Sequence, residues 1–288
     1  MPDPVRLTAP FIFNHNSFEY FLNQLPAENI KDTVIVLDLS LLSNITPYTL
    51  LNFLILCNYL KSLSVTVEID FCENLKMLSY FKEWGFFGYT DALLRNSGSQ
   101  QSPQLLQEEY RDILVKVMPV RQENDIYEVI GLLRENLNFS ADKSTDLAVV
   151  ISEISQNILE HSDSSGFVAI TGRADKKNRQ MLNICIADDG IGMSVSLKEK
   201  LAYFDKRYLD GIAIYKAFFE GISRYNDLGR GNGIIKTKGI IEKHKGKMSL
   251  RSGKAKVWGN IAAWQIERVL RKRLRYMPGT QVNIAFPL

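Results

Sequence analysis

Cysteine is scarce: the 288 residues contain three, Cys57, Cys72 and Cys185, without a CxxC pair or metal-type spacing. That excludes a disulfide framework, and a reduced, cytoplasmic setting is the expectation. Long hydrophobic runs are missing too. The most apolar stretch, residues 50–63, is short and broken by Asn52, Asn58 and Lys61, so no membrane span is expected. Nor does the N-terminus carry a secretion-type pattern. A strong charge of one sign is absent overall, the net charge being only +3.

What is present fits a soluble globular chain of about two domains: 45% hydrophobic, 23% charged and 10% aromatic residues. The small net charge hides an uneven distribution. Residues 223–276 hold fifteen Lys and Arg against three Asp and Glu, a local +12 that leaves −9 for the rest. Such a stretch suits nucleotide phosphates, an acidic partner or nucleic acid. Sparse aromatic interleaving makes a nucleic-acid groove the less favoured of these.

Four polar signals follow one another in the second half: Glu153-x-x-x-Asn157-x-x-x-His161, Asp188-Asp189-Gly190-Ile191-Gly192, Gly229-Arg230-Gly231-Asn232-Gly233, and Gly279-Thr280. Around the first, Leu147, Ile151, Ile154 and Ile158 recur at helical spacing, which puts Glu153 and Asn157 on the border of an apolar face. A carboxylate and a carboxamide one turn apart suit a hard cation and a proton-accepting role at a phosphate. Before the second signal, Met181-Leu-Asn-Ile-Cys-Ile-Ala187 reads as a buried strand. Asp188 at its end can accept from an exocyclic amine, and the glycines let backbone approach a ligand. The third signal opens a helix-like segment, where free N–H groups and the dipole attract phosphate. Taken singly, a solvated helix edge, an acidic turn and a flexible glycine turn are the alternatives.

Their order, together with the closing segment Pro278-Gly-Thr280-Gln-Val-Asn-Ile-Ala-Phe-Pro287, resembles the GHKL family of ATP-binding domains over residues 121–288. The resemblance implies an α/β sandwich, a mixed sheet with helices on one face. It implies Glu153 as general base, Asn157 as Mg²⁺ ligand and Asp188 as the contact to the adenine amine. Gly190, Gly192, Gly229, Gly231, Asn232 and Gly233 would line the nucleotide, with Thr280 beside it, and residues 194–228 would be the ATP lid. ATP and Mg²⁺ are the implied cofactors. His161 is left outside the chemistry as a packing or capping residue.

Residues 96–103, Asn-Ser-Gly-Ser-Gln-Gln-Ser-Pro, mark a boundary. The division expected is a first domain over 1–97, a linker over 98–120 and the ATP-binding domain over 121–288. In the first part, strands over 33–39 and 65–71 alternate with helices over 49–63 and 73–84, an α/β layer with partly parallel pairing. Asp38-Leu39-Ser40 and Trp84-Gly85-Phe86 resemble the STAS domains of anti-sigma-factor antagonists. In that family a phosphoacceptor serine falls where this chain has Pro47, leaving Thr46, Tyr48 and Thr49 as alternatives.

A STAS-like part joined to a GHKL part implies partner switching, with ATP hydrolysis or phosphorylation of a partner protein on Ser or Thr. A nucleotide-gated interaction switch and a nucleic-acid-associated ATPase are the alternatives. Histidine autokinase is least favoured, since no histidine sits central to a long helical hairpin before the ATP part. A protein partner is expected through the STAS-like part or the lid, with a homodimer as a further arrangement and no membrane partner. Residues 255–277 have no assigned role.

Overall fold

The computed structural model describes residues 3–27, 30–95, 112–137, 139–161, 164, 166–174, 180–204, 206, 209–223, 232–260 and 274–287. The protein is an α/β molecule. Its first part contains β1 (Val5–Thr8), β2 (Ile12–Phe13), α1 (Ser17–Leu22), β3 (Val34–Asp38), β4 (Asn44–Ile45), α2 (Pro47–Ser62), β5 (Thr66–Asp70), α3 (Leu75–Glu83) and β6 (Leu93–Leu94). Strands β1, β3, β5 and β6 form a parallel four-stranded sheet in that order. The connections always step the same way along the sheet, and for parallel strands the usual right-handed crossover then puts all three helices on one face. There Phe18, Phe53, Phe81 and Ile69 join one apolar cluster.

Helix α2 begins where Thr46 accepts a hydrogen bond from the Thr49 backbone N–H and Pro47 takes the first helical position, where a missing N–H is harmless. Its apolar residues point in every direction, with Leu50, Leu51, Phe53, Leu54 and Ile55 all fully buried. A helix apolar on all sides has to be covered on all sides. The second part supplies the other cover.

That part runs β7 (Ile113–Val120), α4 (Glu123–Asn136), α5 (Ala141–His161), β8 (Gly166–Ala174), β9 (Gln180–Asp188), α6 (Gly192–Ser196), α7 (Leu209–Glu220), α8 (Asn232–Lys243), β10 (Lys247–Gly253), β11 (Ala255–Gly259) and β12 (Met277–Pro287). Six strands form a sheet in the order β11-β10-β12-β9-β8-β7. Every described pair in it is antiparallel, where the sequence reading expects a mixed sheet.

Alternation sends successive side chains to opposite faces of this sheet. Val168, Ile184, Ile186, Leu250 and Val282 join the cluster formed with α4, α5, α7 and α8. The intervening residues Phe167, Ala169, Cys185 and Ala187 join the cluster of α2 instead. The small side chains of Ala169, Cys185 and Ala187 on this second face let the helix come close. One continuous core therefore links the two parts.

Of the linker expected over 98–120, residues 98–111 lie outside the described residues, and Ile113–Val120 is an edge strand of the six-stranded sheet. Within the lid region, α7 ends at Gly221, whose φ of 63° is left-handed. Residues 255–259, unassigned from sequence, form β11 and pair with β10. Among the described residues, no helix is long and apolar enough to cross a membrane.

Candidate functional site

A cleft of about 410 Å³ opens between the sheet and helices α5, α6, α7 and α8. That is within the usual range for a small-molecule site, roughly 300–1,000 Å³. Glu153, Asn157, Asp188, Gly192, Gly233 and Thr280 all line it. Six residues that sequence reasoning singled out thus meet in one cavity.

Helix α5 delivers Glu153 and Asn157. Leu147, Val150 and Ile151 anchor its apolar stripe in the core, and Asn157 donates from Nδ2 to the Glu153 carbonyl at 2.7 Å. With the amide nitrogen engaged, the amide oxygen is the end left for another ligand. The Glu153 carboxylate has no hydrogen-bond or ion-pair partner among the described residues. An amide oxygen beside an unengaged carboxylate is a donor set that fits a magnesium ion and its waters.

Asp188 ends β9 and is only 5% exposed. One oxygen accepts from the Gly190 N–H at 2.9 Å and the other from the Thr280 N–H at 3.2 Å. Burial raises its pKa to about 7, against the lowering effect of those two N–H groups and with a further upward push from Asp189. Ile186, Met248, Leu250 and Val282 make an apolar wall of the same cleft. A flat heterocycle with an exocyclic amine matches an apolar wall that carries one buried acceptor.

The glycines have individual steric reasons. Gly279 has φ of 69°, and a Cβ there would meet the Asp188 carbonyl oxygen at 2.0 Å. Gly192 has φ of 73° and lies against the Ser252 hydroxyl and the Gly279 carbonyl. At Gly233 a Cβ would fall 2.1 Å from a Glu153 carboxylate oxygen. A side chain at Gly233 would therefore displace the Glu153 carboxylate from its place in the cleft. Gly229 and Gly231 lie outside the described residues, as do the side chains of Asn232 and His161, while the backbone of Asn232 opens α8.

Sequence reasoning missed the residues that tie these loops together. The Ser252 hydroxyl accepts from the Met193 N–H at 2.9 Å and donates to the Gly279 carbonyl at 3.1 Å. Asp210, in the first turn of α7, accepts from the Lys254 N–H at 2.8 Å and from the Ser194 hydroxyl. Gln281 is fully buried and donates to the carbonyls of Pro278 at 2.6 Å and Asp188 at 3.3 Å. Nothing in the local pattern marks Ser252, Asp210 or Gln281, because the partners Met193, Lys254 and Asp188 are remote in sequence.

The family model for histidine kinase-, DNA gyrase B- and HSP90-like ATPases matches residues 142–288, just over half of the chain. The chain belongs to this family. These are ATP-binding domains, usually used with Mg²⁺, and the cleft lies within the matched part. Among solved structures, the chain is similar to the histidine kinase domain of the blue-light activated histidine kinase from Erythrobacter litoralis EL346. That similarity has 13% identity and a TM-score of 0.30, over 59% of this chain and 62% of that one. The chain thus spans less than two thirds of that structure's length. No curated protein matches.

Proposed function

We propose that this GHKL ATPase is a Mg-ATP-dependent regulatory protein, which hydrolyses ATP or phosphorylates a partner protein on Ser or Thr. The carrying observation is the Glu153 carboxylate, which has no partner among the described residues and lies in the same cleft as the buried acceptor Asp188. Asp188 and the apolar wall hold the adenine, and the N-terminal end of α8 faces the phosphates. Glu153 takes the proton from the attacking water or hydroxyl. Asn157 would hold a magnesium ion, and that ion would supply charge neutralisation at the phosphate when bound. The experiment is incubation with labelled ATP and Mg²⁺, followed by separation of free phosphate from phosphoprotein. Free phosphate identifies an ATPase, labelled protein a kinase, and neither product rejects both for the chain alone.

A second reading, a nucleotide-gated interaction switch with negligible turnover, is favoured by the state of the first part. We read that part as STAS-like and as the partner-switching element. Pro47 stands at its phosphoacceptor position, while Tyr48 is 3% exposed and Thr49 fully buried. The Thr46 hydroxyl shares a hydrogen bond with Thr49 Oγ1 at 2.8 Å. A switch that needs no phosphate on this helix suits that arrangement. Changes in protease protection of residues 194–228 with ATP, in the absence of turnover, test it. A nucleic-acid role is less favoured, because Arg251, Lys256 and Arg275 of the basic stretch are turned towards Glu19, His15 and Pro26.

A further inference from the structure

Arg251 is the one arginine among the described residues that is fully buried. It stands on the face of β10 that looks away from the nucleotide cleft, opposite Gln281 of β12. Its guanidinium takes both oxygens of Glu19, a residue of α1, through Nε at 3.1 Å and Nη2 at 3.2 Å. Lys256 adds a third contact to the same carboxylate at 3.2 Å. A bidentate pair of this kind fixes both position and angle.

From this pair, two short routes lead into the cleft. Arg251 Nη1 donates to the Gly253 carbonyl at 2.9 Å, in the turn whose next N–H, that of Lys254, is held by Asp210. Asp210 in turn binds Ser194, so this turn secures both α6 and α7, the helices at either end of the lid region. The neighbouring residue Ser252 faces the cleft and joins Met193 to Gly279, beside Asp188. The pairing of β10 with β12 shifts register between Ser252 and Gly253, and such an irregularity re-aims neighbouring side chains. Glu19 is therefore three contacts from the lid and three from Asp188.

We propose that Glu19 is a positioning residue, which couples the seating of the N-terminal part to nucleotide affinity through Arg251 and the turn it holds. The proposal rests on the ATP reading of the cleft. When α1 is seated, the β10–β11 turn holds Asp210, the lid helices are anchored and the Gly279 loop closes on Asp188. Loss of the seating releases all three. Because coupling between two equilibria is reciprocal, ATP must in turn tighten α1 on the sheet.

The test uses the full chain. ATP affinity is measured by calorimetry for the wild type, for Glu19→Gln and for the paired variant Glu19→Leu with Arg251→Met. The paired variant removes both charges of the bidentate pair, while Lys256 keeps its contact to the His15 carbonyl. Expected is a loss of affinity of at least about five-fold, the low end of typical couplings. Hydrogen exchange on the wild type supplies the readout that a purely structural role would not move: residues 17–22 should exchange faster than β9, through an opening short of global unfolding, and ATP should slow that faster exchange. This second measurement also decides the matter if the variants do not fold. Variants that fold and bind ATP within two-fold of the wild type overturn the coupling alone, as does exchange in residues 17–22 that is indifferent to ATP. A wild type that binds no ATP overturns the reading of the cleft, and the coupling with it.

Discussion

Asp188 carries the most distinctive chemistry of any single residue. Its neutral form is favoured in the folded chain, so its contribution to stability is complete below the ordinary carboxylate value of 3.8 and is lost as pH rises through about 7. An adenine amine donates to the charged form instead. ATP binding therefore releases a proton, and affinity rises as pH passes upward through neutrality. Calorimetry on either side of neutrality should show this step, and Asp188→Asn should remove it, leaving only the titration of the triphosphate itself. The same variant should abolish discrimination against GTP, whose ring presents a carbonyl at that edge. The hydrogen bond to a charged group is worth about 1.5–3 kcal/mol, roughly ten- to 150-fold. Glu153 and Asn157 should divide differently. Glu153→Ala should keep ATP affinity within a few-fold while turnover, where the wild type has it, falls by about 10²–10⁴, since a base acts only in the transition state. Asn157→Ala should weaken ATP binding with Mg²⁺ present and change it little in a chelator; equal losses in both would assign Asn157 a structural role.

At the level of elements, the glycine near the start of the closing strand β12 is the most constrained. Gly279→Ala forces a side chain into a left-handed backbone and onto the Asp188 carbonyl, which displaces the Thr280 N–H from Asp188. The expected outcome is lost ATP binding in a chain whose circular dichroism still shows the fold, and a variant that binds normally would contradict this account of the turn. Several helices and buried strands, such as residues 73–84 and 181–187, were legible in sequence because their apolar pattern is strong, whereas Glu123–Asn136 and Gly166–Ala174 were not read. Residues 49–63 read as a helix, and the structure adds that its apolar residues are buried on every side. What covers the second side was not legible, since it depends on Cys185 and Ala187 alternating with Ile184 and Ile186, which as a pattern says only that both faces are buried. Short edge strands were missed for a related reason. Val5–Thr8 is too brief to show a period, and Ile113–Val120 contains Lys116 and Pro119 and follows a turn-rich stretch, so it read as linker. The site was legible where chemistry demands a residue type at a spacing, as at Glu153, Asn157 and Asp188. It was illegible at Ser252 and Arg251, whose partners Met193 and Glu19 lie 59 and 232 residues away.

For the whole molecule, the consequence of α2 lying between two sheets is that neither part has a complete core alone. The three cysteines report on this directly. Cys72 is exposed, whereas Cys57 lies in α2 and Cys185 on the face of the six-stranded sheet that α2 covers. Burial pushes the Cys57 thiol up to about 12 and raises that of Cys185 as well, so both are poor nucleophiles while the parts stay together. In native buffer an alkylating reagent should modify Cys72 alone. As denaturant increases, Cys57 and Cys185 should become reactive at the same midpoint, and that midpoint should coincide with the loss of helical signal, because a shared core unfolds as one cooperative unit. Peptide mapping by mass spectrometry after pulse labelling distinguishes the sites. Were Cys185 to react at lower denaturant than Cys57, the N-terminal part would be lifting off the sheet before either part unfolds, and the two would be separate folding units in loose contact. Adding ATP sharpens the comparison: a ligand that binds the folded state alone raises the midpoint for every buried site in a single unit, whereas in two loosely joined units it would protect Cys185 and leave Cys57 unchanged.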